Sequence, residues 1–197
     1  MTSERLNAFS DGVIAILITI LVLELRIPHG TDFSALRDLL PIFLTYVLSF
    51  VFLAIYWNNH HHMLFLTDRV SGGILWANTH LLFWLSLVPF VTGWMGENHF
   101  APLPTALYGV VLMMAGVAYY VLEQTIIRSQ GAASRLRAAV GSDTKGKISV
   151  VIYFIAIPLA FVHQLLSDAL YVAVALMWLV PDRRIEMHIN RTQEKSV

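Results

Sequence analysis

The chain has 197 residues, of which 57% are hydrophobic and only 13% are charged, with basic and acidic residues equal at 13 each. An ordinary soluble domain is about 45–50% apolar and about 25% charged, so this chain has roughly half the usual share of charged residues to place in contact with water. The absence of cysteine excludes disulfides, iron–sulfur clusters and thiol chemistry. No linker or low-complexity run divides the sequence, and we expect one all-α membrane domain over residues 1–197.

Six apolar segments predict six membrane-spanning helices. A helix needs about 20 apolar residues to cross a bilayer core of about 30 Å. The predicted helices cover residues 4–26, 36–62, 69–95, 103–128, 147–166 and 168–181. Pro89 and Pro158 are expected to kink the third and fifth of them. The last apolar run is short, so two short spans and a re-entrant hairpin are both compatible with the final pair.

The basic residues predict the orientation of these helices. With six spans, both termini and the loops after the second and fourth helices share one side, and only Arg26 and Arg37 carry positive charge on the other. This asymmetry predicts cytoplasmic termini. One long kinked helix over residues 148–180 would send the C-terminal basic residues outside, which argues against it. The first segment lacks the basic cluster and cleavage site of a signal peptide, so we expect it to stay in the protein.

The first predicted helix carries an acid near its start. Asp11 lies about 9 Å along the helix from Arg5. Acids within membrane segments are rare, cost about 2.5–3.5 kcal/mol at the helix centre, and usually mark function or a buried polar partner. Near the membrane boundary that cost is smaller. Asp11 could therefore be a solvated acid, a packing partner or a functional residue.

The sides of this helix differ in polarity. In a projection at 100° per residue, the residues that fall within about 60° of Ile16 include Phe9, Gly12, Thr19, Ile20, Leu23 and Ile27. Ser10 and Asp11 lie about 120° to 140° away, on opposite flanks. One face is thus an aliphatic stripe with one hydroxyl, and the polar pair points towards neighbouring helices. Periodicity does not tell whether the stripe faces lipid or a pore.

The string Arg5-Leu6-Asn7-Ala8-Phe9-Ser10-Asp11 resembles the R-x-x-x-F-S-D signature of the endolysosomal transmembrane potassium channels and their prokaryotic homologues. The similarity continues in character through residues 12–25, and the six-segment layout agrees. Prokaryotic members carry one six-helix repeat per chain and form tetramers, whereas animal members carry two. Because the motif occurs once here, the resemblance implies a homotetramer in a bacterial plasma membrane.

The resemblance further implies a pore lined by the first helices. Ile16 matches the hydrophobic constriction, Ile20 and Leu23 match further aliphatic rings, and Thr19 matches a layer linked to potassium preference. The implied function is a potassium-favouring cation channel that conducts K⁺ and other monovalent cations. It implies no cofactor, bound metal or nucleic-acid partner. Strong selectivity is not expected, because the chain has no T-V-G-Y-G filter.

A structural polar network around the motif is also implied. Its Ser and Asp serve in contacts between helices rather than in ion coordination, and polar residues near the end of the second helix and within the third join them. The expected members are Arg5, Phe9, Ser10, Asp11, Trp57, His61, Asn78 and His80. Glu24 could form an outer acidic ring, or could simply be solvated.

Histidines supply alternatives from other classes. His60–His62 point in three directions on a helix, which suits a single metal poorly. His80 and His163 lie in apolar segments, which leaves open a haem-binding or metal-dependent membrane redox enzyme. A proton-coupled transporter using Asp11 and His80 is the third possibility, although the chain lacks inverted repeats. No nucleophile–base arrangement or nucleotide motif is present, so we expect no enzymatic activity.

Overall fold

The structure is a computed structural model that describes residues 2–67, 69–131, 134–140 and 143–179. Within these residues the regular secondary structure is helical throughout. The helices are α1 (Ser3–Leu23), α2 (Phe33–Arg37), α3 (Leu40–Phe65), α4 (Gly72–Ser86), α5 (Val88–Glu97), α6 (Pro102–Gln130), α7 (Arg135–Val140), α8 (Thr144–Leu159) and α9 (Gln164–Leu179). The predicted helix end at residue 181 and the basic residues Arg183, Arg184, Arg191 and Lys195 lie outside the described ranges.

Four helical stretches are long and apolar enough to cross a membrane. They are Ser3–Leu23, Leu40–Phe65, Gly72–Glu97 and Pro102–Gln130. Helices α8 and α9 are apolar but have only 16 residues each within the described ranges, about 24 Å of helix. The prediction of an all-α, multi-span membrane protein is confirmed, and the count of six spans stays a prediction.

Hydrogen bonds between helix termini mark one end of the bundle. Ser3, at the start of α1, donates to the carbonyl of Leu64, near the end of α3, at 2.8 Å. Gln130, at the end of α6, donates to the carbonyl of Leu66 at 2.9 Å. We call this the proximal end, where α1 begins and α3 and α6 end, and the opposite one the distal end.

A buried chain of hydroxyl groups ties α3, α5 and α6 together. Thr92 donates to the carbonyl of Val88 at 2.6 Å, so its oxygen is left to accept from Ser49, also at 2.6 Å. Ser49 in turn accepts from the Tyr108 hydroxyl at 3.0 Å. Each hydroxyl hydrogen has an acceptor, as burial among apolar side chains requires.

Two prolines coincide with helix discontinuities. The predicted third helix is divided at Leu87 into α4 and α5, and Pro89 occupies the first turn of α5, where a missing N–H removes no helical bond. Pro158 lies one residue before α8 ends at Leu159. The apolar run therefore continues across Leu87 although the helix does not.

Candidate functional site on the first helix

The inward face of α1 packs against α3, α4 and α5. Its buried residues recur at intervals of three or four, and they are Leu6, Ser10, Ile14, Leu17 and Leu21. This spacing marks one side of a helix. The packing fixes the rotation of α1 about its axis, and the opposite side is turned out of the bundle.

One branch of polar contacts is fully buried and links α1, α3 and α4. The Asn78 amide nitrogen donates to the Ser10 hydroxyl at 3.0 Å, and Ser10 donates to its own helix at the carbonyl of Leu6. His60 Nε2 lies 2.7 Å from Asn78 Oδ1 and donates to it, because a carbonyl oxygen only accepts. Asn78 therefore bridges two other helices through a single side chain.

A second, half-exposed branch holds the carboxylate of Asp11. Trp57 Nε1 donates to Asp11 Oδ1 at 2.9 Å, and the Asn7 amide donates to Oδ2, also at 2.9 Å. The same Asn7 nitrogen lies 3.2 Å from His61 Nδ1. Since each carboxylate oxygen has a donor from α1 or α3, Asp11 is directed at its neighbouring helix rather than along the outward face of α1.

Three residues expected in the network take other positions. The Arg5 side chain is exposed and makes no hydrogen bond with the described residues, although its backbone N–H donates to the capping hydroxyl of Thr2. Phe9 is exposed beside the aliphatic stripe. His80 accepts from Trp84 Nε1 at 3.0 Å within α4, away from the Ser10 and Asp11 contacts.

Two other residues join the network without having been predicted. Asn7 lies four residues before Asp11, and this spacing places two side chains on one helix face, so the sequence did contain a signal for it. His60 is one of three consecutive histidines, and nothing in the sequence indicates which of them faces α4. Only the contact of His60 with Asn78 in the folded protein identifies it.

The outward face of α1 is an unpartnered aliphatic surface in the single chain. Ile16 is 58% exposed and Leu23 is 78% exposed, with Ile20 between them at 37%. From Ile16 to Leu23 this surface extends about 10 Å along the helix. Gly12 adds no side chain, and space near it is open. The face offers contact area but, apart from Thr19, no side-chain oxygen.

Thr19 is exposed on this same face, and its hydroxyl has a defined direction. Its Oγ1 donates to the carbonyl of Ile16, one turn earlier, at 2.7 Å. The hydroxyl hydrogen is thus directed at the helix backbone, and the lone pairs of Oγ1 remain available to an outside group. A cation next to α1 would meet an oxygen acceptor here.

The distal end of α1 is fastened to α5. The Glu24 carboxylate lies against Gly93, so close that a Cβ there would overlap it and force the carboxylate to move. Arg26 forms an ion pair with Glu97 at the end of α5. Glu24 is half-buried against a helix instead of pointing freely from the bundle.

Among the described histidines, only the neighbours His61 and His62 have their rings in contact. His60 is buried against Asn78, His61 is exposed beside Asn7, and His163 is exposed in the connection between α8 and α9. Among the described residues, no group of three or more His, Asp or Glu side chains could hold a metal ion. The geometry thus offers no support for the redox or metal-enzyme alternatives.

Known proteins resemble the chain over nearly its whole length. The family described as endosomal/lysosomal potassium channel TMEM175 matches residues 5–89. A protein named as a potassium channel in Chryseobacterium sp. is 50% identical over 190 residues, covering 96% of this chain and 99% of the relative. Another potassium channel, from Streptomyces collinus, is 31% identical over 185 residues, covering 84% and 89%.

A solved structure shares the fold. It is the crystal structure of a lysosomal potassium-selective channel TMEM175 homolog from Chamaesiphon minutus, with a TM-score of 0.81 and 27% identity. The match covers 91% of this chain and 97% of that one. The similarity therefore extends through α6, α8 and α9, well beyond the motif in α1.

Proposed function

Since this chain belongs to the TMEM175 family of potassium channels, we propose that it is a potassium-favouring cation channel formed by four copies around a central pore. The observation that carries the proposal is the unpartnered outward face of α1, where Thr19 stands among exposed aliphatic side chains. One chain supplies a single α1, which cannot enclose a path. Four copies of this face around an axis would enclose one, with the rest of each bundle outside.

In this arrangement Ile16 forms the gate. A ring of four isoleucines offers a permeating ion no oxygen ligand, so a narrow ring excludes water and closes the path by dewetting. Ile20 and Leu23 would form further aliphatic rings towards the distal end. Opening requires the four helices to tilt or rotate until a partly hydrated ion fits between the isoleucine side chains.

Thr19 supplies the side-chain oxygens of the pore wall. It lies about 4.5 Å beyond Ile16 along the helix axis, at three residues of 1.5 Å. Four threonine oxygens around the axis would replace part of the hydration shell of an ion that passes the isoleucine ring. Potassium is favoured because it gives up its water more readily than sodium does, while the lack of a carbonyl filter keeps that preference modest.

The polar network holds the pore helix in register. The contacts of Ser10 and Asp11 with α3 and α4 fix the rotation and depth of α1. Because the carboxylate of Asp11 is occupied by Trp57 and Asn7, we assign it to positioning rather than to the ion path. Among the described residues, Arg5, Phe9 and His80 take no part in the hydrogen bonds of this network.

The surroundings follow from the same proposal. The protein resides in the bacterial cell membrane, with lipid around it and both termini in the cytoplasm, so the proximal end faces the cytoplasm. Its partners are further copies of itself, and its permeant ions are K⁺ and other monovalent cations. Neither a cofactor nor a nucleic acid takes part.

A flux assay in liposomes tests the channel and its gate together. Ile16→Asn places four amides in the constriction, which wets it, and we expect potassium flux to rise by about tenfold, equivalent to a barrier lowered by about 1.4 kcal/mol. Potassium efflux is measured from vesicles containing wild type or variant, with sodium as the competing cation and empty vesicles as blank.

Ile155→Asn is the matched control, because Ile155 is 53% exposed on α8 and close to Ile16 in exposure. This variant should conduct like wild type. Equal flux from both isoleucine variants would show that Ile16 is not part of the gate. A preparation of oligomeric, correctly inserted protein without flux above the blank, Ile16→Asn included, would end the channel proposal.

A further inference from the structure

A crevice lies between α3, α6 and α8, and no residue of α1 lines it. Its volume of about 360 Å³ falls within the range of about 300–1,000 Å³ typical of ligand pockets. The residues that form its floor and walls are Phe52, Tyr56, Gly116, Tyr119, Val150 and Tyr153. The crevice is thus separate from the pore face, and the proposed function does not use it.

The interior of the crevice is apolar although tyrosines line it. The Tyr119 hydroxyl donates to the carbonyl of Asn59 at 3.2 Å, and the Tyr56 hydroxyl donates to that of Leu112 at 3.5 Å. Both hydroxyls are thereby turned onto backbone, and their rings face the space. A buried water needs two to four polar partners, which this interior does not supply. The interior of the crevice therefore favours an apolar occupant.

The proximal mouth of the crevice is polar and positively charged. Lys147 lines it and is exposed, and its side chain makes no hydrogen bond or ion pair with the residues that the structure describes. Lys145 stands over the Trp178 ring at 5.9 Å, and the Trp178 indole donates to Ser149 at 2.8 Å. Asp143 also lines the mouth, where its carboxylate accepts from the backbone of α8.

We propose that this crevice binds one acyl chain of an anionic phospholipid, with the phosphate group at Lys147. From Lys147 to Tyr153 the apolar wall of α8 extends about 9 Å, so an acyl chain can follow it into the bundle from a headgroup at the mouth. A cationic side chain at the membrane surface favours an anionic headgroup over a zwitterionic one.

The chemistry of the interior favours a lipid over a protein segment. A helix or loop from a second copy would bring polar side chains or backbone groups that need partners. The tyrosine hydroxyls of the crevice are already directed at Asn59 and Leu112, so they offer such a segment little. An acyl chain brings no polar group into this space.

Native mass spectrometry of the full-length protein tests the apolar part of the site. The protein is taken from nanodiscs of equimolar phosphatidylglycerol and phosphatidylcholine, and the retained lipid is weighed. A Cβ at Gly116 would meet only the Tyr56 hydroxyl, at 3.8 Å, so Gly116→Leu extends into the crevice. We expect it to lower retained phosphatidylglycerol about tenfold, equivalent to about 1.4 kcal/mol.

Gly72→Leu is the matched control, because Gly72 is helical, exposed and has open space around it. It should retain lipid like wild type. Circular dichroism and size-exclusion chromatography establish that both variants are folded. Wild-type lipid retention by a folded Gly116→Leu protein would overturn the proposal.

The headgroup contact has its own pair of variants. Lys147→Gln should reduce the preference for phosphatidylglycerol about fivefold, which corresponds to the roughly 1 kcal/mol that one basic residue contributes near an anionic surface. Arg128→Gln removes an exposed charge at the end of α6, outside the crevice lining, and should leave the preference intact. An unchanged preference in Lys147→Gln would overturn the assignment of the phosphate.

A labelling experiment on the wild type requires no core variant. A phosphatidylglycerol with a photoreactive acyl chain should label residues 116–120 or 146–153. Label confined to other surfaces would overturn the proposal. So would a disulfide between copies carrying Val150→Cys, which would place a second copy in the crevice. These readouts are lipid mass and label position, so they stand or fall independently of ion flux.

Discussion

Helices α1 and α8 both leave large aliphatic side chains outside the bundle, and Ile16 and Ile155 are similar in exposure at 58% and 53%. They differ in how their inward sides are held. Helix α1 is joined to α3 and α4 by hydrogen bonds of Ser10 and Asp11, whereas Ser149 of α8 accepts from α9. Exposure alone therefore does not identify a pore face. Polar side-chain contacts with two neighbouring helices and the exposed hydroxyl of Thr19 distinguish α1 from α8.

The largest loss of stability is expected when the bridge at Asn78 is removed. Asn78→Leu takes away its contacts with Ser10 and His60 and leaves the buried Nε2 of His60 without an acceptor. At roughly 0.6–2 kcal/mol for each bond between membrane helices, the free energy of unfolding should fall by about 1–4 kcal/mol. Thermal unfolding in detergent and the yield of assembled protein measure this loss.

Asn98→Leu provides the comparison, because the Asn98 amide donates only to Trp94 in its own segment. It should unfold close to wild type. If Asn78→Leu were equally stable, the buried branch of the network would not be what fixes α1.

Removing the half-exposed branch should have a smaller effect. Asp11→Ala leaves Trp57 Nε1 and the Asn7 amide without their acceptor, but water reaches this site and replaces part of the loss. We expect stability to fall by about 1 kcal/mol, with potassium-over-sodium preference unchanged. Denaturation curves and reversal potentials provide the two readouts, and Asp11→Asn, which keeps one acceptor oxygen, should lie between.

An opposite pattern would be informative. A fully assembled Asp11→Ala protein with altered selectivity would place the carboxylate in the ion path, contrary to its contacts with α3.

The smallest structural effect is expected at Thr19. Thr19→Val keeps the shape and removes the hydroxyl, and the exposed site should change stability by no more than about 0.5 kcal/mol. The reversal potential under a potassium–sodium gradient should nevertheless shift towards that of a less selective pore. Thr79→Val is the matched control, since Thr79 makes the same kind of bond to its own helix, at Leu75, on an exposed face of α4.

If both threonine variants gave wild-type reversal potentials, the oxygen of Thr19 would have no part in ion preference. The aliphatic side chains of α1 would then remain as pore-lining candidates, without an oxygen from Thr19.

The class of fold was predictable because composition fixes it. Long uncharged runs can be stabilised only in lipid, where helices satisfy their own backbone groups. The division at Leu87 was harder to see, since the residues around it are as apolar as those before and after. Pro89 indicated a kink, but hydropathy carries no information on whether a helix bends or restarts.

The site was predictable to the extent that helix geometry determines it. The 100° projection separated Ile16 and Thr19 from Ser10 and Asp11, and in the structure the first pair is exposed while Ser10 is buried. Contacts across helices depend on depth and rotation, which periodicity does not encode. For this reason the sequence did not single out His60, which joins the network. It did suggest His80, which instead bonds to Trp84 in its own helix.

The bond from Thr19 to the carbonyl of Ile16 has a consequence for hydrogen ions as well. Relay of a proton along a file of water requires each group to receive a hydrogen on one side and release one on the other. A hydroxyl whose own hydrogen is committed to the backbone can receive but cannot release without first breaking that bond. In the proposed tetramer, four such hydroxyls would accept hydrogen bonds from the water file or contact a passing cation, but would not themselves relay a proton.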